Sequence, residues 1–151
     1  MLELTHLLAW LRANPNQANI GVPATGSLPH FFALMLADAA KVSAQVVGYR
    51  GSAPLITDLI GNNLNIASMG YTAVLPHMQS GQVKVVMTSG KQRTPVLPDV
   101  QSSIEAGYPQ LTGETWYGLF APLGTPKPII DAVSAEVREA VKDETVLKSF
   151  A

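Results

Sequence analysis

Short apolar runs alternate with helical periods along this chain, and each of the first three runs leads into a loop of small or polar residues. Asn19-Ile20-Gly21-Val22 precedes the loop at 23–27 and a helical pattern at 28–41. Ala44 to Tyr49 precedes the loop at 50–53 and a helical pattern running from Ser52 to Ile60. Asn65-Ile66-Ala67-Ser68 precedes the loop at 69–72 and a pattern at 72–80 that contains Pro76. Strands joined through helices must run parallel, because only a crossover connection returns the chain to the same end of a sheet. The fold class is therefore α/β, a mostly parallel sheet flanked by helices. In such a sheet the loops at the carboxyl ends of the strands gather along one edge, where ligands bind. The three loops are expected to converge there.

The rest of the chain is read in the same way. Leu4, Leu7, Leu8 and Leu11 lie at helical spacing, predicting a helix over 2–13 that ends at Asn14-Pro15-Asn16. The helix at 28–41 is rich enough in Phe, Leu, Met and Ala to be largely buried. Val83 to Thr88 is the clearest strand, residues 101–106 form one or two helical turns, and Thr115 to Ala121 is an aromatic strand whose default place is the core. Thr125-Pro126-Lys127-Pro128 opens a helix from Ile129 to about Val141, and a further turn or two follows Asp143.

The loop around Ala24, Thr25, Gly26 and Ser27 has a specific chemical potential. A helix start leaves backbone N–H groups without intrahelical partners, and together with the positive end of the helix dipole they attract an anion. The loop contains no cysteine, carboxylate or metal-ligand cluster, so it suits holding an acidic small molecule and not transforming one. The competing reading is a plain turn in which Thr25 or Ser27 caps the next helix. His30 either senses or contacts a carboxylate, or is a packed or capping side chain. Arg50 has the planar fork that pairs with a carboxylate, against the alternative of a solvated surface arginine. Gly51 allows close approach of backbone to ligand, and Ser52 is placed to cap its helix.

Composition narrows the classes. With 47% apolar and 14% charged residues, the 151-residue chain can bury a core. A net charge of −1 without a basic block argues against a nucleic-acid partner. The absence of cysteine removes disulfides, thiolate metal sites and a thiol nucleophile. His6 and His77 have no metal-ligand spacing and read as structural. Glu105 and Glu114 are not an obvious acid–base pair, and no Ser-His-Asp order carries a nucleophile elbow. No enzyme activity, cofactor or metal is expected. The N-terminal apolar stretch lacks a basic flank and reads as an amphipathic helix, not as a signal peptide.

At this point a family resemblance becomes visible. Leu11-Arg12-Ala13-Asn14-Pro15, Gly26-Ser27-Leu28-Pro29-His30, Tyr49-Arg50-Gly51-Ser52-Ala53-Pro54 and Leu75-Pro76-His77 stand in order. Thr88-Ser89-Gly90-Lys91-Gln92-Arg93, Leu97-Pro98-Asp99-Val100 and Glu105-Ala106-Gly107-Tyr108-Pro109 follow. Trp116-Tyr117-Gly118-Leu119-Phe120-Ala121-Pro122, with Gly124-Thr125-Pro126, is the most distinctive piece. Together they resemble the periplasmic solute-binding receptors of tripartite tricarboxylate transporters, the TctC or Bug type. The resemblance implies a type II periplasmic-binding-protein-like fold of two α/β lobes closing on a ligand. It implies a periplasmic location, a small carboxylated ligand and membrane permease subunits as partners. It also places Met69, followed by Gly70 and Tyr71, where members carry a polar or acidic residue in the third ligand loop. A ligand-sensing effector domain of a regulator, which shares this architecture, is the alternative.

On that resemblance, residues 18–112 are a complete second lobe. Residues 1–17 and 113–151 are pieces of an incomplete first lobe. Both end pieces should then leave apolar faces uncovered, which favours a homo-oligomer formed through them.

Overall fold

The computed structural model describes residues 4–150. It divides into two compact units, Met1–Glu114 and Thr115–Ala151. The first unit is organised by β1 (Asn19–Val22), the middle strand of a parallel sheet ordered β2-β1-β3. β2 (Gln45–Gly48) pairs along its whole length, from Asn19 opposite Gln45 to Val22 opposite Gly48. β3 (Ile66–Ala67) pairs with Ile20 and Gly21. Ile20, Gly21 and Val22 are all buried, as expected for a parallel strand covered on both faces. Gly21 lets the side chains of Leu55 and Leu64 close over the strand, since a Cβ there would meet both.

Each strand feeds a helix: α2 (Leu28–Ala39) after β1, α3 (Ser52–Ile60) after β2, and α4 (Tyr71–Gln79) after β3. The sequence-predicted alternation is therefore realised, and the fold is α/β. α1 (Leu4–Ala13) stands ahead of them, and a single 3-10 turn at Pro15–Gln17 stops it before β1. A second 3-10 turn, Pro109–Leu111, closes the unit against α2.

The expectation that the N-terminal helix leaves an apolar face uncovered is wrong. Leu4, Leu8 and Leu11 are buried in one cluster with Leu36, Ala37, Ala40, Val42 and Leu111. Arg12 locks this arrangement, donating from Nε and Nη2 to the carbonyl of Ala40 at 3.2 and 2.7 Å. A cation there also meets the negative end of α2. The helix thus completes the core of the first unit, while Leu2 and Glu3 of its predicted span lie outside the described residues.

Other expectations need correction. α2 is not largely buried: Ala33 packs on the β1 residues Ile20 and Val22, and Leu36 and Ala37 join the leucines of α1, but Phe31, Leu34 and Met35 are about half exposed. A helix laid on one face of a sheet has only one stripe to bury, and this one is apolar beyond that stripe. Val83 to Thr88 is no strand. Its single ladder contact is an isolated bridge from Thr88 to Ser102. β propensity is expressed only where a neighbouring strand accepts the ladder, and the amides of 84–87 find no backbone partner among the described residues. Residues 101–106 form turns and no regular helix. Ser102 and Glu105 there make a reciprocal box. The Ser102 amide donates to Glu105 Oε2 at 2.8 Å and the Glu105 amide donates to Ser102 Oγ at 3.3 Å, while Arg93 donates to both carboxylate oxygens. Glu105 is thereby a structural carboxylate.

In the second unit, residues 115–121 are exposed and form no strand, against both the strand and the core expectation. No described segment of this unit runs beside them to complete a ladder. Trp116 and Phe120 instead contact each other, with ring centroids 6.3 Å apart. The turn at Pro122–Thr125 leads into α5 (Lys127–Ala140), and Asp143 caps α6 (Glu144–Phe150) by accepting from the Thr145 and Val146 amides. α5 is amphipathic, and its apolar stripe of Ile129, Ile130, Val133 and Val137, continued by Val141, stays about half exposed.

Two stability effects are expected. Leu11→Ala removes a side chain that is 1% exposed, and should cost about 2–5 kcal/mol. Urea unfolding followed by Trp10 emission measures this, and a loss below about 1 kcal/mol contradicts the packing described. The second effect concerns pH. The Ser102 amide, and then Arg93, hold the Glu105 carboxyl below its ordinary value of 4.5, with partial desolvation opposing them. A carboxyl depressed in the folded state stabilises above its unfolded pKa, and that stabilisation disappears as pH falls through the folded value. The stability gap between wild type and Glu105→Gln should therefore be largest near neutrality and shrink below the ordinary carboxylate range. A gap independent of pH refutes the role.

Candidate functional site

All three strands run the same way, so their carboxyl ends and the starts of α2, α3 and α4 share one edge of the sheet. Backbone bonds tie the connecting loops together. The Tyr49 amide donates to the Val22 carbonyl at 2.8 Å, the Gly51 amide to Pro23 at 2.8 Å, and the Ser68 amide to Gly21 at 2.9 Å. The convergence expected of loops 23–27, 50–53 and 69–72 is thus built by the ladder of β1 continued into its loops.

The three helix starts share an electrostatic character. Ser27, Gly51 and Gly70 occupy the positions just before α2, α3 and α4, and none makes a side-chain capping bond. None of the three first turns carries an acidic residue. Pro29 and Pro54 stand in the first turns of α2 and α3 and carry no N–H. Among the described residues, the unpartnered donors that remain include the amides of Thr25, Leu28, Ser52, Ala53 and Tyr71. Three positive dipole ends on one edge, with no carboxylate in their first turns, form an anion-attracting rim.

The predicted site residues distribute themselves unevenly over this rim. Ala24, Thr25 and Gly26 are exposed at the tip of the first loop. The Gly26 amide is engaged, donating to His30 Nδ1 at 3.2 Å. His30 therefore acts as the brace of the loop. That bond requires an unprotonated Nδ1. Ser27 does not cap α2 through its side chain: its hydroxyl donates back to the Ala24 carbonyl at 2.7 Å, and its amide also meets that carbonyl at 3.4 Å. The Gly26 and Ser27 amides thus have partners inside the loop, whereas those of Thr25 and Leu28 do not. Leu28 is not among the residues singled out from the sequence, although its place as first residue of α2 follows from Pro29 behind it.

In the second loop, Ser52 is the first residue of α3 and Gly51 the cap position, which corrects the expectation that Ser52 caps the helix. Gly51 has φ 105° and ψ 176°, a conformation open essentially to glycine alone. It turns the chain so that the Ser52 and Ala53 amides begin α3 unobstructed. Arg50 is exposed and makes no ion pair among the described residues. Thr25 bridges the loops: a Cβ on Gly48 would collide with its hydroxyl, so the side chain lies across the end of β2. Met69 is half-buried just before α4, with Gly70 exposed beyond it. A mainly apolar cavity of about 370 Å³ lies at the other end of β3, lined by His6, Leu7, Trp10, Asn65 and Ile66. It is not part of the rim.

Known proteins share this fold. The family profile described as "Tripartite tricarboxylate transporter family receptor" matches residues 1–151. A UPF0065 protein from the TAR-I ttuE-ttuC' intergenic region of Agrobacterium vitis is 31% identical over 145 residues, covering 96% of this chain and 42% of its own length. A solved periplasmic transporter superposes with a TM-score of 0.91 at 26% identity, covering 97% of this chain and 49% of its own. MatC from Rhodopseudomonas palustris, solved with bound malate, superposes with a TM-score of 0.87 at 27% identity, covering 97% and 50%. The chain thus spans about half the length of these relatives. It belongs to the tripartite tricarboxylate transporter receptor family and has the α/β fold of the periplasmic binding proteins.

Proposed function

We propose that this chain forms part of a periplasmic receptor that captures a small carboxylated metabolite and delivers it to the membrane permease of a tripartite tricarboxylate-type transporter. The observation that carries the reading is the rim itself: three helix starts on one sheet edge, without side-chain caps and without acidic first turns. A carboxylate accepts short, charge-assisted bonds from such amides, each contributing about 1.5–3 kcal/mol. Arg50 offers an exposed counter-charge at the rim, and Met69 offers apolar contact to the carbon skeleton. The malate bound to MatC is a dicarboxylate, which makes small diacids the first class to test.

No chemistry is required of this site. The Ser27 hydroxyl is turned to a carbonyl and the His30 Nδ1 to an amide, so neither activates the other. Binding would instead bias an open–closed equilibrium between lobes, and the closed form would be the one the permease recognises.

Isothermal titration of the protein with malate, adipate and citrate tests the reading. Saturable one-site binding of at least one acid is the expected result, and the absence of heat with every acid at millimolar concentration rejects it. A second test concerns the second loop. Gly51→Ala forces a side chain onto a backbone that disfavours it and should swing the Ser52 and Ala53 amides away. Affinity for the bound acid should fall about tenfold or more, equivalent to about 1.4 kcal/mol. Unchanged affinity in a folded Gly51→Ala protein shows that α3 contributes nothing to the rim.

A further inference from the structure

Tyr49 lies between the end of β2 and the second ligand loop, and its two ends are tied to different elements. Its amide extends the β1–β2 ladder by donating to Val22 at 2.8 Å. Its hydroxyl donates to Asp58 Oδ2 on α3 at 2.9 Å, nine positions along the chain. The ring crosses the space left by Gly21, where a Cβ would stand 3.2 Å from Tyr49 Cε2. Burial, and then the Asp58 carboxylate, raise the phenol above its ordinary pKa, so the donating form is secure at neutral pH.

Asp58 is itself held in place. Its other oxygen accepts from Asn63 Nδ2 at 3.4 Å, and its carbonyl accepts from the Asn63 and Leu64 amides at 2.9 and 3.2 Å. The remaining grip on α3 is apolar, through Leu55 and Ile56. Apolar contact resists separation but is non-directional and sets orientation poorly. The space around Gly51 is open, since a Cβ placed there would meet nothing within 4 Å. The Gly51 amide bond to Pro23 holds the start of α3, and the Tyr49–Asp58 bond, near the other end of the nine-residue helix, fixes the direction of its axis.

We propose that Tyr49, through Asp58, is a positioning residue for ligand binding: it fixes the direction of α3 so that the Ser52 and Ala53 amides point to the rim. The proposal rests on the reading of that rim as a carboxylate cradle. It assigns a binding role to two side chains that never touch the ligand.

The test uses the whole chain, with Tyr49→Phe, Asp58→Ala, their combination, and Asp58→Asn. Malate binding is measured by titration, and the Ser52 and Ala53 amides are followed by 1H–15N spectra without ligand. Tyr49→Phe and Asp58→Ala are each expected to weaken malate binding about 5–20-fold and to shift both amide signals in the same direction. The combination should be no weaker than the weaker single variant, because the two act through one bond. Asp58→Asn retains an acceptor oxygen and should keep most of the affinity. The affinity loss should exceed anything expected from the small change in melting temperature of the unliganded Tyr49→Phe protein. Wild-type affinity in Tyr49→Phe, or losses that add in the combination, overturn the proposal. If the wild-type chain binds none of the acids, the function proposed above fails instead. The amide signals then decide the positioning role: coincident shifts sustain it, and unshifted signals in both single variants reject it.

Discussion

The hydrogen-bond ladder of one short buried strand carries the architecture of the first unit. β1 shares a full parallel ladder with β2 on one side and a shorter one with β3 on the other. Its ladder does not stop with the strand: Val22, Pro23 and Gly21 carbonyls accept from Tyr49, Gly51 and Ser68, drawing the loops onto the same edge. Since all three strands point one way, the three following helices must begin there. An anion-attracting rim is then a consequence of topology, and the side chains need only leave it unobstructed.

The sequence is consistent with that requirement at the rim. The positions before the three helices are Ser27, Gly51 and Gly70, and the first turns are free of Asp and Glu. Side-chain caps and acidic first turns each stabilise a helix start. Omitting both at three neighbouring helices forgoes stability at a place where an incoming anion would supply it. Binding energy at such a rim partly replaces interactions that an ordinary helix start would hold permanently.

Much of this is legible in the sequence alone. The alternation of apolar runs and helical periods predicts β1 to β3 and α2 to α4, because each such element is short, locally punctuated and paired with a neighbour close in sequence. The three loops are legible for the same reason. Val83–Thr88 and Thr115–Ala121 mislead because their apolar, β-branched or aromatic residues report a preference for a pleated, half-covered surface, and say nothing about whether a neighbour is present to pair with. The fate of α1 is equally hidden. Its leucine spacing declares an apolar face, but Arg12 reaching the Ala40 carbonyl, which fixes what that face meets, is a contact across 28 positions.

Within the site, the backbone is legible and the side chains are not. Gly51 announces a special turn, and its φ of 105° is of that kind. His30 and Ser27, by contrast, are ambiguous in sequence between ligand contact and local bracing, since both roles call for a polar residue at a helix start. In the structure both make local hydrogen bonds, to Gly26 and Ala24. The same division explains Tyr49. A tyrosine at the end of a strand is ordinary by sequence, and its importance comes from the gap at Gly21 that its ring crosses and the carboxylate of Asp58 that its hydroxyl meets. Neither of those residues would bind an acid by itself. Their joint effect, in the positioning role proposed for Tyr49, is to set the direction in which α3 presents the Ser52 and Ala53 amides.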